Sequence, residues 1–252
     1  MGCVLSCLEP CAPCLFGCFV GCTPITWRVP PLDREGRRTV CLTIDDFPSK
    51  SLTVEAFKEL LVVLDEHDAL VTFFVILDNV KAHPYGEEML RILCTYTEHE
   101  LGCHWRGRWG CCIPTHEFVR SAFEFKGIQR RYGTHIRFCR PPGGFATSRT
   151  VVALNQQAGL KVVLGTAYPG DADICASRSP RWIGEMASNM AKNGGRIVIL
   201  HCDGSIVDKV KHFLENAEFV GLAPSRTLSL ATTGYSSGLG GEQRPIPALL
   251  LV

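Results

Sequence analysis

Thr39-Val-Cys-Leu-Thr-Ile-Asp45-Asp46-Phe-Pro48 is an apolar, β-branched run that ends on two adjacent carboxylates. β-Branched residues suit a pleated, buried surface. A near-continuous apolar run is what a strand covered on both faces shows. Side chains alternate along a strand, so consecutive acids would face opposite ways if the strand went on. Where it ends, a turn can bring both into one site. One carboxylate could then hold a metal ion while the other acts as a base.

Working outward, the pattern alternates. Val54, Phe57, Leu60, Leu61 and Leu64 have helical spacing and predict a helix over 53–67. Residues 69–77 form an apolar run expected as a buried strand. Further helices are expected over 87–96, 115–132 (capped by Thr115), 147–158, 180–192 (opened by Pro180) and 206–213. Further strands are expected over 100–104, 135–138, 161–165, 196–201 and 226–230. This β-then-α order implies a parallel sheet, open or closed into a barrel. In such folds reactive groups gather at the C-terminal ends of the strands. Asp45, Asp46, His104, Arg140 and His201 all lie at or just after such ends.

The 252 residues suffice for one large α/β domain, with 46% hydrophobic and 20% charged residues supporting a real core. A net charge of +1 gives no basic field, so no nucleic-acid partner is expected. Of 14 cysteines, six lie in the first 22 residues. Only Cys11 and Cys14 have the C-x-x-C spacing, so no zinc-ribbon frame forms. The eight in the body read as small buried hydrophobes rather than a disulfide framework.

Residues 1–30 form a Cys-rich apolar head. Gly2 with Ser6 fits the N-myristoylation pattern and Cys3 is placed for palmitoylation. Two acyl chains anchor stably, so a membrane-associated chain is expected. A secretory signal, giving a secreted or cell-surface protein, is the alternative. It is weakened by Glu9, the prolines and the missing basic start. No apolar run reaches the ~18 residues of a membrane span. Residues 38–230 are expected to form the folded domain, and 231–252 a poorly ordered tail. The sequence carries no signal for oligomeric state.

Five ordered stretches resemble the polysaccharide deacetylases, the NodB-homology or carbohydrate esterase family 4 proteins. They are Thr-Ile-Asp45-Asp46-Phe-Pro, His99-Glu-Leu-Gly-Cys-His104, Arg140-Pro-Pro-Gly143-Gly144, Tyr168-Pro-Gly-Asp171 and Ile197-Val-Ile-Leu-His201-Cys-Asp-Gly204. Residues 69–75 match the strand after the first motif. The resemblance implies a distorted (β/α) barrel that removes N-acetyl groups from an amino-sugar oligomer or polymer with a divalent metal, in the family zinc. Asp46 and His104 would be its ligands. Asp45 would be the general base, paired with Arg140, and His201 the general acid. Asp171 would orient His201, with Asp173 as the alternative. The Gly143 N–H would stabilise the oxyanion, and Trp105 could stack on the sugar.

One position departs from the family. Its second motif is His-x-x-x-His or His-x-x-x-Asp, and here it reads His104-Trp-Arg-Gly-Arg108. A guanidinium has no lone pair for a metal. Two ligands remain where catalytic zinc usually has three. His99, Cys103, Cys111 or Cys112 could supply a third, or Arg108 could fill the place with its own charge. The alternative function is therefore a catalytically silent homologue that binds carbohydrate or a protein partner. The family meets polysaccharides outside the cell, whereas an acylated head faces the cytosol.

Overall fold

The structure, a computed structural model, describes residues 25–26, 29–33, 36–107 and 112–223. The acylation motif, Arg108, Trp109, Cys111, the strand expected at 226–230 and the tail lie outside the described residues.

The strands are β1 (Ile25–Thr26), β2 (Arg38–Phe47), β3 (Thr72–Ile76), β4 (Glu100–His104), β5 (Ile136–Arg140), β6 (Lys161–Val163), β7 (Arg196–His201) and β8 (Leu222–Ala223). The helices are α1 (Val54–Glu66), α2 (Leu77–Ala82), α3 (Gly86–Tyr96), α4 (Thr115–Tyr132), α5 (Ser148–Ala158), α6 (Pro180–Ala191) and α7 (Ile206–Phe219). The sheet runs β1-β6-β5-β4-β3-β2-β7, with β8 beside the start of β2, and the ladders are parallel. Beyond β6 the chain crosses to β7. Thr166 and Ala167 donate to the Ile197 carbonyl, and Ile199 donates back to Ala167. The sheet thereby curls toward closure as a distorted (β/α) barrel.

Alternation sorts the strand residues into two cores. Val40, Leu42 and Ile44 of β2, Phe73 and Val75 of β3, and Leu101 and Cys103 of β4 pack outward in the large core shared with the helices. Cys41, Phe74, Phe138, Val163 and Ile197 fill the barrel interior with Val29. Helix starts follow their caps. Thr53 accepts from the Ala56 N–H at 3.1 Å, Thr147 from Thr150 at 3.2 Å, and Ser179 from Trp182 at 3.3 Å. Each satisfies a donor the helix leaves open.

Several boundaries differ from expectation. Leu77 does not close β3 but opens α2, a short helix missed in the sequence. Pro114, not Thr115, is the cap of α4, and the Thr115 hydroxyl bonds Thr150 instead. Helix α7 runs on to Phe219, because Val210, Phe213, Leu214 and Ala217 continue its buried face. The strand expected at 135–138 is shifted to Ile136–Arg140, which carries Arg140 to its end.

Gly102 decides how the interior fills. A Cβ there would lie 2.5 Å from the Phe74 ring, so this glycine lets Phe74 occupy the barrel. Gly102→Ala is expected to destabilise the fold by about 1–3 kcal/mol through overpacking. Urea unfolding checks this, and the penalty should shrink in a Phe74→Leu background.

Candidate active site

The inward positions at the top of the barrel are Asp45 on β2, His104 on β4, Arg140 on β5 and His201 on β7. Asp171 joins them from the segment after β6. Asp45 and His201 are direct neighbours in the β2–β7 register.

Asp46 has φ 64°, the left-handed region that a non-glycine residue rarely adopts. Such a conformation costs roughly 1–2 kcal/mol. It interrupts the alternation, so the carboxylates of both Asp45 and Asp46 reach His104. Phe47 then turns outward against Phe57 and Phe73, with ring centroids 5.1 and 5.2 Å away. Asn79 holds the Asp46 carbonyl at 3.3 Å.

Arg140 is 1% exposed. Its Nη1 donates to Asp45 Oδ1 at 2.5 Å and Thr43 Oγ1 at 2.8 Å, and its Nε to the Val163 carbonyl at 3.2 Å. The guanidinium lies 4.1 Å from the Phe74 ring centroid. Thr43 spends its own proton on the Val198 carbonyl, 2.6 Å away, which leaves its lone pairs to Arg140. Burial pushes the guanidinium pKa down and Asp45 pulls it back up. An arginine stays charged under that contest.

His104 Nδ1 lies 2.5 Å from the Arg140 carbonyl. A carbonyl only accepts, so Nδ1 carries the proton. In neutral imidazole Nε2 is then a lone pair. That lone pair faces Asp46 Oδ1 at 3.3 Å and Asp45 Oδ2 at 3.9 Å. Acceptors facing one another need a cation between them, a proton or a metal ion. A histidine whose far nitrogen is tied to a carbonyl is the usual arrangement of a metal ligand. His104 and Asp46 thus fit a divalent cation in chemistry. Among the described residues they stop one side chain short of the three that catalytic zinc takes. Among the described residues no set of three or more His, Cys, Asp and Glu side chains completes a metal site.

Of the replacements raised from the sequence, Cys111 lies outside the described residues, and His99 and Cys103 do not reach the gap. His99 sits before the other end of β4, about 16 Å from His104 at strand rise. There its Nδ1 accepts from Val71 at 3.5 Å, and burial pushes it down to about 4. Cys103 points outward into the helix-packed core, where burial drives its thiol well up. Cys112 is exposed.

His201 faces Asp171 twice. Its Nδ1 is 2.9 Å from Oδ1, and its backbone N–H donates to Oδ2 at 2.8 Å. The Tyr168 ring stands edge-on to the imidazole at 5.4 Å. Asp173, the alternative partner, instead accepts from the Tyr168 hydroxyl at 2.7 Å. Gly143, at φ 61°, sits in a short 3₁₀ turn (Pro142–Gly144) beside the mouth. The N–H groups of Gly144 and Phe145 are used within that turn. Trp105 corrects an expectation. It is 7% exposed and packs edge-on against Phe118, 4.7 Å between centroids, so it is core and offers no face to a sugar. Thr43 and Lys209 were missed in the sequence, although Thr43 shares the inward face of Asp45 at two-residue spacing.

A model of the family described as polysaccharide deacetylase matches residues 33–163. The chain belongs to the polysaccharide deacetylase family. The matched stretch ends before Asp171 and His201, which only the fold brings to the site. Among solved structures, a carbohydrate esterase family 4 pseudoenzyme from Bacillus anthracis is 16% identical, TM-score 0.65, over 83% of this chain and 69% of its own. A mutant of that pseudoenzyme with restored activity is 18% identical, TM-score 0.65, over 83% and 71%. The chitin deacetylase of Colletotrichum lindemuthianum is 16% identical, TM-score 0.64, over 83% and 92%. At these identities the likeness shows the fold. Comparison with curated protein sequences gives no match.

Electrostatics at His201 set a pH signature. Burial lowers its pKa, but the Asp171 bond and the Asp45 charge outweigh it and hold the group above 6.5. Burial raises Asp171, and the bond from His201 with the charges of His201 and Lys209 brings it below 3.8. A raised histidine contributes stability that is complete below pH 6.5 and lost as pH rises through its folded pKa. A lowered aspartate contributes stability above pH 3.8 that is lost as pH falls through its folded pKa. Both contributions are therefore present together between about pH 4 and 6.5. Urea unfolding across pH should show stability declining above that window, and His201→Asn should flatten the decline.

Proposed function

We propose that this chain hydrolyses the N-acetyl group of an amino-sugar oligomer or polymer. The observation that carries the reading is the pair of charged couples at one barrel mouth, Asp45–Arg140 and Asp171–His201, with Asp45 and His201 on neighbouring strands. Arg140 Nη1 holds Asp45 Oδ1 and fixes the carboxylate at the mouth, where Asp45 accepts a proton from the attacking water. The water oxygen bonds to the acetyl carbon, and the Gly143 N–H would donate to the developing oxyanion. The C–N bond then breaks. His201, held protonated beside Asp171, gives its proton to the leaving amine, and acetate departs. His104 and Asp46 would hold a divalent cation, zinc in the family, which supplies Lewis-acid polarisation of the acetamide carbonyl.

A second reading has its own observation. Arg108 replaces a ligand, and two donors bind a metal less firmly than three. On that reading the mouth binds a carbohydrate or a protein without turning anything over. At the other end of the chain, acylation of Gly2 and Cys3 is proposed on the sequence pattern, with membrane association as its consequence. Among the described residues no helix is long and apolar enough to cross a membrane.

Acetate release from N-acetylglucosamine oligomers with added zinc tests the hydrolase. Turnover is expected, falling about 10²–10⁴-fold in Asp45→Asn and in His201→Ala. Oligomer binding without any acetate from the wild-type chain would establish the silent reading instead.

A further inference from the structure

Lysine is rarely buried, because its ammonium loses its hydration shell unless carboxylates replace it. Lys209, on α7, is 3% exposed. It interrupts an otherwise apolar face made by Ile206, Val207, Val210 and Phe213. All three of its donors are used. Nζ lies 2.9 Å from Asp171 Oδ2, 2.7 Å from Asp203 Oδ2 and 3.4 Å from the His201 carbonyl. Asp203 is itself held through Oδ1 by the Ser205 N–H at 2.9 Å and hydroxyl at 2.7 Å. The ammonium is thus fastened to both sides of the turn that follows His201.

The depth of α7 is also set. Gly184 on α6 lies where a Cβ would meet the Lys209 carbonyl at 2.5 Å and the Phe213 nitrogen at 2.7 Å. That close approach leaves the lysine backbone little room to shift. An aliphatic side chain would fill the volume at less desolvation cost, so packing does not explain a lysine here.

We propose that Lys209 is a positioning residue for His201: by taking Oδ2 of Asp171 it turns Oδ1 onto the imidazole, and its charge offsets part of the carboxylate field there. The charged and titratable groups around His201 are Asp45 and Asp46 from β2, His104 from β4, and Arg140 from β5 acting on Asp45. Asp171 and Tyr168 come from the segment after β6, Asp203 from the turn after β7, and Lys209 from α7. Lys209 is the cation among them that touches Asp171 directly. Without it, Asp171, still held on the His201 backbone N–H through Oδ2, would act on the imidazole at full strength. The histidine would hold its proton too tightly to release it readily near neutral pH.

The inference rests on reading His201 as the acid, but its test reads the imidazole rather than turnover. NMR titration of His201 should show its midpoint rising by about one pH unit in Lys209→Met, the size expected when a charge within a few ångströms is removed. Lys209→Arg, which keeps the charge, should restore most of the wild-type midpoint. An unchanged midpoint in a folded Lys209→Met variant overturns the proposal. The wild-type chain gives a check that does not depend on a variant folding. The Lys209 Nζ resonance should move at the His201 midpoint, and a resonance flat through it also overturns the proposal. A chain that releases no acetate yet shows both shifts would retain the positioning role and lose only the hydrolase.

Discussion

The ion pair between Arg140 and Asp45 is the constraint around which the barrel mouth is arranged. An arginine 1% exposed is tolerated only where its charge is met, and here Asp45 and Thr43 of β2 hold Nη1 and the Val163 carbonyl at the end of β6 holds Nε. Breaking a buried pair by removing one partner typically costs about 3–5 kcal/mol, because the other charge is stranded. The Phe74 ring beneath the guanidinium needs the space that Gly102 leaves. The Arg140 carbonyl in turn selects the tautomer of His104. One residue therefore links Asp45, His104 and the interior packing.

The mouth has two unequal halves. In one half Asp45 and His201 lie side by side, each held by an opposite charge, as the proposed base and acid require. The cation-facing half has His104 and Asp46 opposed, and the residue that would finish the set in the family is an arginine in this sequence. The mouth is costly to maintain. A left-handed Asp46 in the cation-facing half, and a buried Arg140 and a buried Lys209 in the other, each work against stability, which is what strain and desolvation at a working site look like. That is the physical argument for preferring the hydrolase reading.

Much of this was legible in the sequence. Strand and helix order followed from periodicity, and the strand-end positions of Asp45, His104, Arg140 and His201 from where the apolar runs stop. The inward and outward sorting follows from alternation. What escaped depended on contacts distant in sequence. Trp105 looked like a sugar platform because its burial comes from Phe118, on a helix thirteen residues on. Lys209 was visible as a polar break in an apolar face, but its partner Asp171 is 38 residues earlier. The left-handed turn at Asp46 has no local glycine to announce it. The crossing after β6 that joins β7 depends on register, which one strand's sequence does not carry.

Whether the mouth still takes a metal ion is the point on which the account turns. The most direct measurement is a calorimetric titration of zinc into the metal-free, folded chain, which needs no knowledge of the substrate. The account predicts one-to-one binding that disappears in Asp46→Ala and in His104→Ala. Absence of binding heat in the wild-type chain at every zinc concentration reached, with the fold intact, would contradict it.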